Sequence, residues 1–278
     1  MPILINAPPR VPRPRGTAIT TYLPLDTTLY DRHPNRWAFE GVQFVPYGCT
    51  LELEETTQDP CDDDFEEVNG PQGFETEVSF PPFSFRAAMM CSALGMTADE
   101  IEKHLNVLWE AEVSTVLAEQ VMHGEWNATA PTLVGEADTL TVTGMDSPKE
   151  VVALIEDGLA DRWGNSQGMI HVTPSILTQI AGDLTFIDGR YHTANGHILV
   201  SDAGYQGGAP GTGTVTAGET WIYGSSPVHF KYQTPDWSGY DFENWVRDHN
   251  DQIVRKDGIA IAVFEPCSVV AAKVDYTP

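Results

Sequence analysis

The sequence predicts an α+β (mixed α/β) protein, in which one long helix is combined with sheet strands and a lobe of alternating helices and strands. Two observations carry this prediction. An apolar pattern with helical spacing runs over residues 97–123, and no Pro or Gly interrupts it. From Ser147 onward, helix and strand patterns alternate, which is typical of a sheet whose faces are covered by helices.

The totals limit the classes of function. The chain has 278 residues, 41% of them hydrophobic, which is enough for one large domain or two modest ones. Its formal net charge of −25 argues against nucleic-acid binding through a basic face. No stretch approaches the ~18 uninterrupted apolar residues of a membrane-spanning helix, so we expect no membrane partner. The first residues lack the apolar core of a signal peptide, and we expect synthesis in a cytosol.

Residues 1–36 predict an extended arm. The segment holds seven prolines and five of the fifteen basic residues, which are Arg10, Arg13, Arg15, Arg32 and Arg36. Such a composition cannot bury a compact core. Two interpretations stay open: a disordered leader, or an arm that lies over a neighbouring subunit or faces an anionic interior.

The next segment predicts a long β-hairpin. Two β-like runs, 42–45 and 74–80, flank a turn-rich acidic stretch over 54–73. The Asp62–Asp64 cluster in that stretch lacks the Asp/Asn–Gly–Glu spacing of a calcium-binding loop. We interpret it as a solvated tip.

The helix at 97–123 is the longest regular element. Thr97 and Glu100 form a capping-box pattern at its start, and Gly124 is a helix stop. At about 1.5 Å per residue it extends for about 40 Å. The apolar stripe consists of Ile101, Leu105, Leu108, Trp109, Val113, Val116, Leu117 and Val121. The polar positions on the other side are Glu102, Lys103, Asn106, Glu110, Glu119 and Gln120.

The lobe that follows shows helix and strand signals in turn. Ser147-Pro148 opens one helix and Thr173-Pro174 another, each with an N-cap side chain followed by Pro at the first turn. Asn195-Gly196 marks a tight turn. Strands are predicted at 139–143, 169–172, 184–187, 191–200 (around the turn), 220–223, 228–232, 259–264 and 269–274.

The motifs that carry chemistry are incomplete. Tyr223-Gly-Ser-Ser-Pro lacks the second glycine of a nucleophile elbow, and the Gly-rich stretch 204–213 lacks the Lys-Ser/Thr of a phosphate loop. His192 and His197 have no carboxylate or cysteine at ligand spacing. We therefore predict no catalytic residue, no cofactor and no metal, and we expect the protein not to be an enzyme.

Cysteines and aromatic residues leave two questions open. The four cysteines show no zinc-ligand spacing, and we favour buried free thiols over a bridge between Cys49 and Cys61. We expect four aromatic residues to be core and interface residues; the competing hypothesis is that they form the ligand-stacking surface of an acidic binding module or hydrolase. These residues are Trp221, Tyr223, Trp237 and Tyr240.

Five stretches, read together, carry a family resemblance over residues 83–274. They are 83–92 with Gly124-Glu-Trp126, Met169-Ile-His-Val-Thr-Pro, 193–205 (TANGHILVSDAGY), Tyr223-Gly-Ser-Ser-Pro-Val and Phe264-Glu-Pro-Cys-Ser-Val-Val-Ala. In them the chain resembles the coat proteins of tailed bacteriophages with the Hong Kong 97-like fold, particularly those of phages of actinobacteria.

The resemblance implies a domain organisation. Residues 1–40 would be an N-terminal arm and 41–82 an extended β-hairpin loop. Residues 83–146 and 241–278 would form a peripheral domain built on the spine helix 97–123. Residues 147–240 would form an axial domain.

The resemblance also implies a function. The chain would be a structural major capsid protein that self-assembles into hexamers and pentamers of an icosahedral phage head enclosing double-stranded DNA. It would reside in the virion after assembly in the host cytoplasm, with scaffold, portal and decoration proteins as further candidate partners. Contact with DNA would be weak and made by Arg10, Arg13 and Arg15. The alternative within the same fold is a bacterial nanocompartment (encapsulin-like) shell protein.

Overall fold

A computed structural model describes most of the chain outside the arm and the hairpin tip. The described residues are 16–26, 36–44, 77–92, 98–142, 147–211, 213, 215, 218–233, 245–246 and 251–275. For 88–92, 98–99, 101, 245–246, 251–255 and 275 the backbone alone is described.

The described residues contain six α-helices, fourteen strands and three short 3-10 turns. The helices are α1 (Ala18–Thr21), α2 (Trp37–Glu40), α3 (Ala98–His123), α4 (Leu133–Glu136), α5 (Pro148–Trp163) and α6 (Pro174–Ile180). The strands are β1 (Leu23–Pro24), β2 (Val42–Phe44), β3 (Val78–Phe80), β4 (Phe83–Ser92), β5 (Asp138–Thr139), β6 (Met169–Val172), β7 (Thr185–Ile187), β8 (Arg190–His192), β9 (Ile198–Ser201), β10 (Glu219–Ser225), β11 (His229–Gln233), β12 (Trp245–Val246), β13 (Asp251–Val263) and β14 (Val270–Asp275). The 3-10 turns are Ala181–Asp183, Ala203–Tyr205 and Pro266–Ser268.

A seven-stranded sheet forms the larger of the two main layers. Its strand order is β5-β14-β10-β6-β9-β8-β7. The β5–β14 and β6–β9 pairs are parallel, and the other pairs are antiparallel. All four residues of β6 are buried, as expected for a central strand covered on both faces.

Helix α5 covers one face of this sheet. It begins as predicted, with Ser147 as the N-cap and Pro148 in the first turn. Glu150 completes a reciprocal capping box with Ser147, which was not predicted from the sequence. Val151, Ile155 and Leu159 are buried in one cluster with alternate residues of β6, β9, β10 and β14. The helix crosses β10 so closely that a Cβ on Gly224 would lie 2.6 Å from Ile155 Cγ2.

A five-stranded sheet is built around β13. On one side β13 pairs with β4 over ten residues, and on the other side it pairs with β11 and β12. Strand β1 adds to β11 in parallel and thereby ties the segment after α1 to this sheet. The predicted strand at 259–264 is thus the end of a longer, central strand.

Helix α3 is confirmed as the long helix, with 26 residues. Its buried positions include Leu105, Trp109, Val113, Leu117 and Val121, which follow the predicted stripe. Trp109, Val113, Leu117 and Val121 belong to one buried cluster, and the helix packs against β4 and β13 and against the 3-10 turn after β9. The chain leaves the helix at Gly124, which takes a positive φ of 69°.

One position of α3 differs from the prediction. Gln120 was placed on the polar side, yet it is only 3% exposed. Its side-chain oxygen accepts hydrogen bonds from the backbone N–H groups of Trp126 and Asn127, and its amide donates to the Asn127 carbonyl. The polar side chain is buried because it satisfies the backbone of the loop that follows the helix.

The predicted hairpin is present at its base. Strands β2 and β3 pair antiparallel, with Val42 opposite Phe80. The acidic tip, the capping residue Thr97 and the arm residues 1–15 lie outside the described residues. The predicted strand at 139–143 is shorter than expected, since only Asp138 and Thr139 pair with β14.

The predicted domain boundaries stay a prediction. Two clusters of buried side chains exist, one between α5, α6 and the seven-stranded sheet, the other between α3, the five-stranded sheet and the opposite face of the seven-stranded sheet. Strand β14, from the segment 241–278, lies in one sheet with β6, β9 and β10.

Candidate assembly surface

Exposed apolar side chains mark the surfaces that are available for contacts between molecules. Single exposed apolar residues are ordinary, whereas neighbouring ones at a sheet edge indicate a binding surface. The exposed large apolar residues among the described ones are Phe39, Val107, Trp126, Phe186, Ile187 and Tyr232.

The β7–β8 hairpin carries two of these residues. Phe186 and Ile187 are consecutive on β7, the end strand of the seven-stranded sheet, so their side chains point to opposite faces, and every residue of β7 is exposed. Asp188 and Gly189 both have positive φ, the conformation of the tight two-residue turn that matches the twist of the strands. The hairpin therefore presents an apolar edge, with one exposed apolar side chain on each face, whose outer side pairs with no strand in the described part of the chain.

A second exposed apolar residue lies at the base of the β2–β3 hairpin. Phe39 is 80% exposed, although it follows Trp37, which is buried beneath the ammonium group of Lys231. Helix α2 is thus fixed by Trp37 and presents Phe39 outward. Because an aromatic ring loses much unfavourable contact with water when a partner covers it, Phe39 is suited to a contact with another molecule.

Two cavities open along α3 and are separated by Glu119 and Trp126. One, of about 430 Å³, lies between α3 and β4 and is bordered by Phe85 and Trp109. The other, of about 520 Å³, lies between the end of α3 and the turn after β9. Because Glu119 and Trp126 border both cavities, we refer to the two together as the groove on α3.

A series of buried, hydrogen-bonded polar groups links the N-terminal segment to the seven-stranded sheet. The Ser225 hydroxyl donates to the Ser226 carbonyl at 2.7 Å, so it accepts at 2.9 Å from the Nε2–H of His171. Nδ1 of His171 then accepts from the Tyr205 hydroxyl at 3.1 Å, and the oxygen of Tyr205 accepts from Tyr22 at 2.6 Å. This order of donors fixes one neutral tautomer of His171.

The chain of groups superficially matches a serine–histidine pair, but its chemistry is structural. Burial lowers the pKa of His171 to about 3, so the imidazole is neutral near neutral pH and is a weak proton acceptor. Burial also raises the pKa of Tyr22 and of Tyr205 above the ordinary value, which keeps both phenols protonated. Ser225 is itself fully buried. These groups join the N-terminal segment to the sheet.

Asp202 fixes the same N-terminal segment to α3. Its carboxylate accepts from the hydroxyls of Ser114 (2.7 Å) and Thr115 (3.1 Å) and from the backbone N–H of Gly204 (3.3 Å). Ser114 Oγ in turn accepts from the backbone N–H of Ile19 at 3.1 Å. A buried carboxylate with this many donors is well compensated for its loss of water.

Most of the residues that the sequence suggests for stacking, DNA contact or metal binding are buried or lie outside the described residues. Tyr223 is fully buried and Trp221 partly buried, so Tyr223 is not available to stack a ligand; Trp237 and Tyr240 lie outside the described residues. Arg10, Arg13 and Arg15 also lie outside them. His197 accepts from the Gly168 N–H at 3.0 Å in the core, which is a structural role.

Three findings concern metal binding, membrane-spanning helices and the cysteines. Within the described ranges, no group of three or more His, Cys, Asp or Glu side chains could hold a metal ion. No described helix is both long and apolar enough to cross a membrane. Cys267 is disulfide-bonded, so the preference for free thiols is wrong for this cysteine. Its partner is not among the described side chains.

Comparison with solved structures places the fold. No family model matches the sequence, and a search of curated proteins finds no match. The chain is similar to a chain of the capsid of a native GTA particle, with 10% identity, a TM-score of 0.54, and 99% of this chain and 95% of that chain covered. It is also similar to a chain from Mycobacterium phage Bobi, with 10% identity, a TM-score of 0.53, and 99% and 94% coverage.

A third similar structure is the capsid of an empty GTA particle, with 9% identity, a TM-score of 0.53, and 99% of this chain and 95% of that chain covered. At such identities the comparison bears on the fold alone. It confirms the predicted Hong Kong 97-like fold of phage coat structures.

Proposed function

We propose that this chain, which has the fold of phage coat structures, is a structural major capsid protein. In this proposal it assembles into hexamers and pentamers of an icosahedral phage head that encloses double-stranded DNA. The observation that carries the proposal is the likeness to the native GTA capsid chain, which extends over 99% of this chain. We further propose assembly in the host cytoplasm and residence in the virion.

The exposed apolar residues fit such a role. Closed shells are built from repeated contacts between copies, and the buried centre of such a contact is rich in apolar and aromatic side chains. Phe186 and Ile187 on the β7–β8 hairpin and Phe39 on α2 are exposed side chains of this kind. We assign the hairpin to contacts within a capsomer, at the tip of the proposed axial domain 147–240.

The remaining domain roles are part of the same proposal. Residues 1–40 act as an arm whose described part is packed on this subunit, where Tyr22 is buried and β1 pairs with β11, and 41–82 act as a loop that reaches a neighbouring subunit. The spine helix α3 stiffens the peripheral domain formed by 83–146 and 241–278. Because α3 packs on both sheets, a load on either sheet is transmitted along a helix of about 40 Å.

The charge is compatible with a DNA-filled container. A net charge of −25 keeps the inner face from binding DNA tightly, so that packaged DNA can move and later leave. The arm residues Arg10, Arg13 and Arg15 are the proposed points of weak contact. Scaffold, portal and decoration proteins are proposed further partners.

Assembly of the purified protein tests the proposal. Size-exclusion chromatography with electron microscopy should show capsomers or closed shells. A species that stays monomeric across protein concentration, salt and pH would overturn the proposal. If closed shells form in cells, their content separates the alternatives, because double-stranded DNA supports a phage head and a protein cargo supports a nanocompartment shell.

A further inference from the structure

The larger cavity on α3 has the character of a binding site for a basic chain. We call it the acidic cavity and define it by Glu119, His123, Glu125 and Trp126 on and after α3 and by the turn 203–206. Its volume is about 520 Å³. No Lys or Arg belongs to the residues that line it in the described part of the chain.

The walls of the acidic cavity are held in place. Trp126 donates its indole N–H to a carboxylate oxygen of Glu119 at 3.3 Å, and 38% of the Trp126 residue surface stays exposed. Nε2 of His123 lies 3.0 Å from the Gln206 carbonyl, which ties the helix to the turn. The cavity therefore combines an aromatic face with fixed negative charge at its rim.

The basic arm begins next to this cavity. The Gly16 carbonyl accepts from the backbone N–H of Ser201 at 2.6 Å, and the turn 203–206 starts two residues after Ser201. At no more than ~3.6 Å per residue, the chain at Gly16 lies within roughly 10 Å of the cavity wall. Residues 8–15 precede Gly16 directly.

The sequence of the arm complements the cavity. Residues 8–15 read PPRVPRPR, with four prolines and three arginines. Proline-rich sequences favour the polyproline II conformation, which rises about 3.1 Å per residue, so that eight residues in this conformation would extend for about 25 Å. Aromatic grooves bind proline-rich chains of this kind, and guanidinium groups pair with carboxylates and stack on indole rings.

We propose that residues 8–15 of the same chain bind in the acidic cavity, with arginines at Glu119 and Glu125 and prolines against Trp126. The proposal does not depend on the function proposed above. It gives the arm arginines a protein partner that competes with DNA for them. An arm so bound would contact DNA only after leaving the cavity.

Tryptic cleavage of the Arg10–Val11 bond tests the proposal on the full chain. The bond lies within the proposed bound segment, and trypsin cleaves only a chain that has left its binding site. In the double variant Glu119→Gln/Glu125→Gln, loss of two rim ion pairs should raise the cleavage rate roughly threefold to tenfold at low salt. Added salt should raise the wild-type rate towards that of the variant, because it screens exposed charges.

A matched control removes the same charge elsewhere. The double variant Asp157→Asn/Asp161→Asn changes two exposed carboxylates on α5 and should cleave at the wild-type rate. Equal rates in the wild type and in Glu119→Gln/Glu125→Gln would overturn the proposal. Protection that increases with protein concentration would overturn the same-chain assignment and place the arm on a second copy. Protection that requires added DNA would favour DNA as the partner of the arginines.

Discussion

Replacing Trp109 with alanine should destabilise the subunit more than any surface change on α3. Trp109 is 6% exposed, its ring stacks on Phe85 at a centroid distance of 4.8 Å, and the ammonium group of Lys256 lies 5.0 Å from its centroid. A buried aromatic side chain removes roughly 150–250 Å² from water, which at about 25 cal/mol per Å² corresponds to about 4–6 kcal/mol. Because Trp109 also borders an open cavity of about 430 Å³, water can enter the space left behind. We therefore expect a loss of about 3–4 kcal/mol.

Urea unfolding followed by far-UV circular dichroism measures this loss on the unassembled protein. With a slope of roughly 2–3 kcal/mol per molar urea, the midpoint should fall by roughly 1–2 M and the slope should stay constant. Val107→Ala is the matched control, since Val107 lies on the same helix and is 36% exposed; it should change the free energy of unfolding by less than about 0.5–1 kcal/mol. Equal midpoints for Trp109→Ala and the wild type would refute the assignment of α3 as the spine of the fold.

Three further predictions concern pH, the N-terminal segment and assembly. Burial lowers the pKa of His171 to about 3, below the ordinary value of about 6.5, so protonation favours the unfolded chain. The free energy of unfolding should therefore fall by up to ~1.4 kcal/mol per pH unit below about pH 6.5. In His171→Gln, urea unfolding at pH 7 and pH 5 should show that this part of the pH dependence is lost. A pH dependence equal to that of the wild type would contradict the burial of a neutral imidazole. Asp202→Ala should lower the free energy of unfolding by about 1–3 kcal/mol, because Ser114 and Thr115 lose a buried hydrogen-bond acceptor. It should also make the segment after Gly16 accessible to proteases, which mass spectrometry of the fragments detects. Protease resistance equal to that of the wild type would contradict this prediction. Phe186→Ser/Ile187→Ser should leave the thermal midpoint within a few degrees of the wild type but reduce capsomer formation in size-exclusion chromatography, and normal capsomers would exclude this edge as a contact.

The sequence was informative where a pattern is local and repetitive. The helix at 98–123 follows from its apolar spacing, and the start of α5 follows from Ser147 and Pro148, which are adjacent in the chain. The position of Gln120 could not be read in this way. Its burial depends on the loop at 124–127, which folds back onto the helix and offers backbone groups to the amide.

Long-range polar contacts left no signal in the sequence. Tyr22 and Tyr205 are 183 positions apart, and His171 and Ser225 are 54 positions apart, so no spacing rule joins them. The apolar edge on β7 could have been found, because Asp188-Gly189 is a strong two-residue hairpin signal between apolar residues. The strand at 259–264 was recognised by its apolar run, whereas its extension back to Asp251 depends on pairing with β4.

The sequence did not predict the groove on α3. The helical pattern distinguished an apolar from a polar side, but the cavity at Glu119 and Trp126 exists because the turn after β9 packs against the end of the helix. Gly204 permits that approach, since a Cβ there would lie 2.7 Å from the Thr115 carbonyl oxygen. Such closeness between two elements depends on the whole fold.

Electron microscopy of the purified, concentrated protein tests the central claim most directly. The account predicts hexameric and pentameric capsomers or closed icosahedral shells, in which the β7–β8 hairpins lie at contacts between copies. A protein that remains monomeric under all conditions of concentration, salt and pH, while folded and stable, would contradict the proposal that this fold serves as a shell subunit.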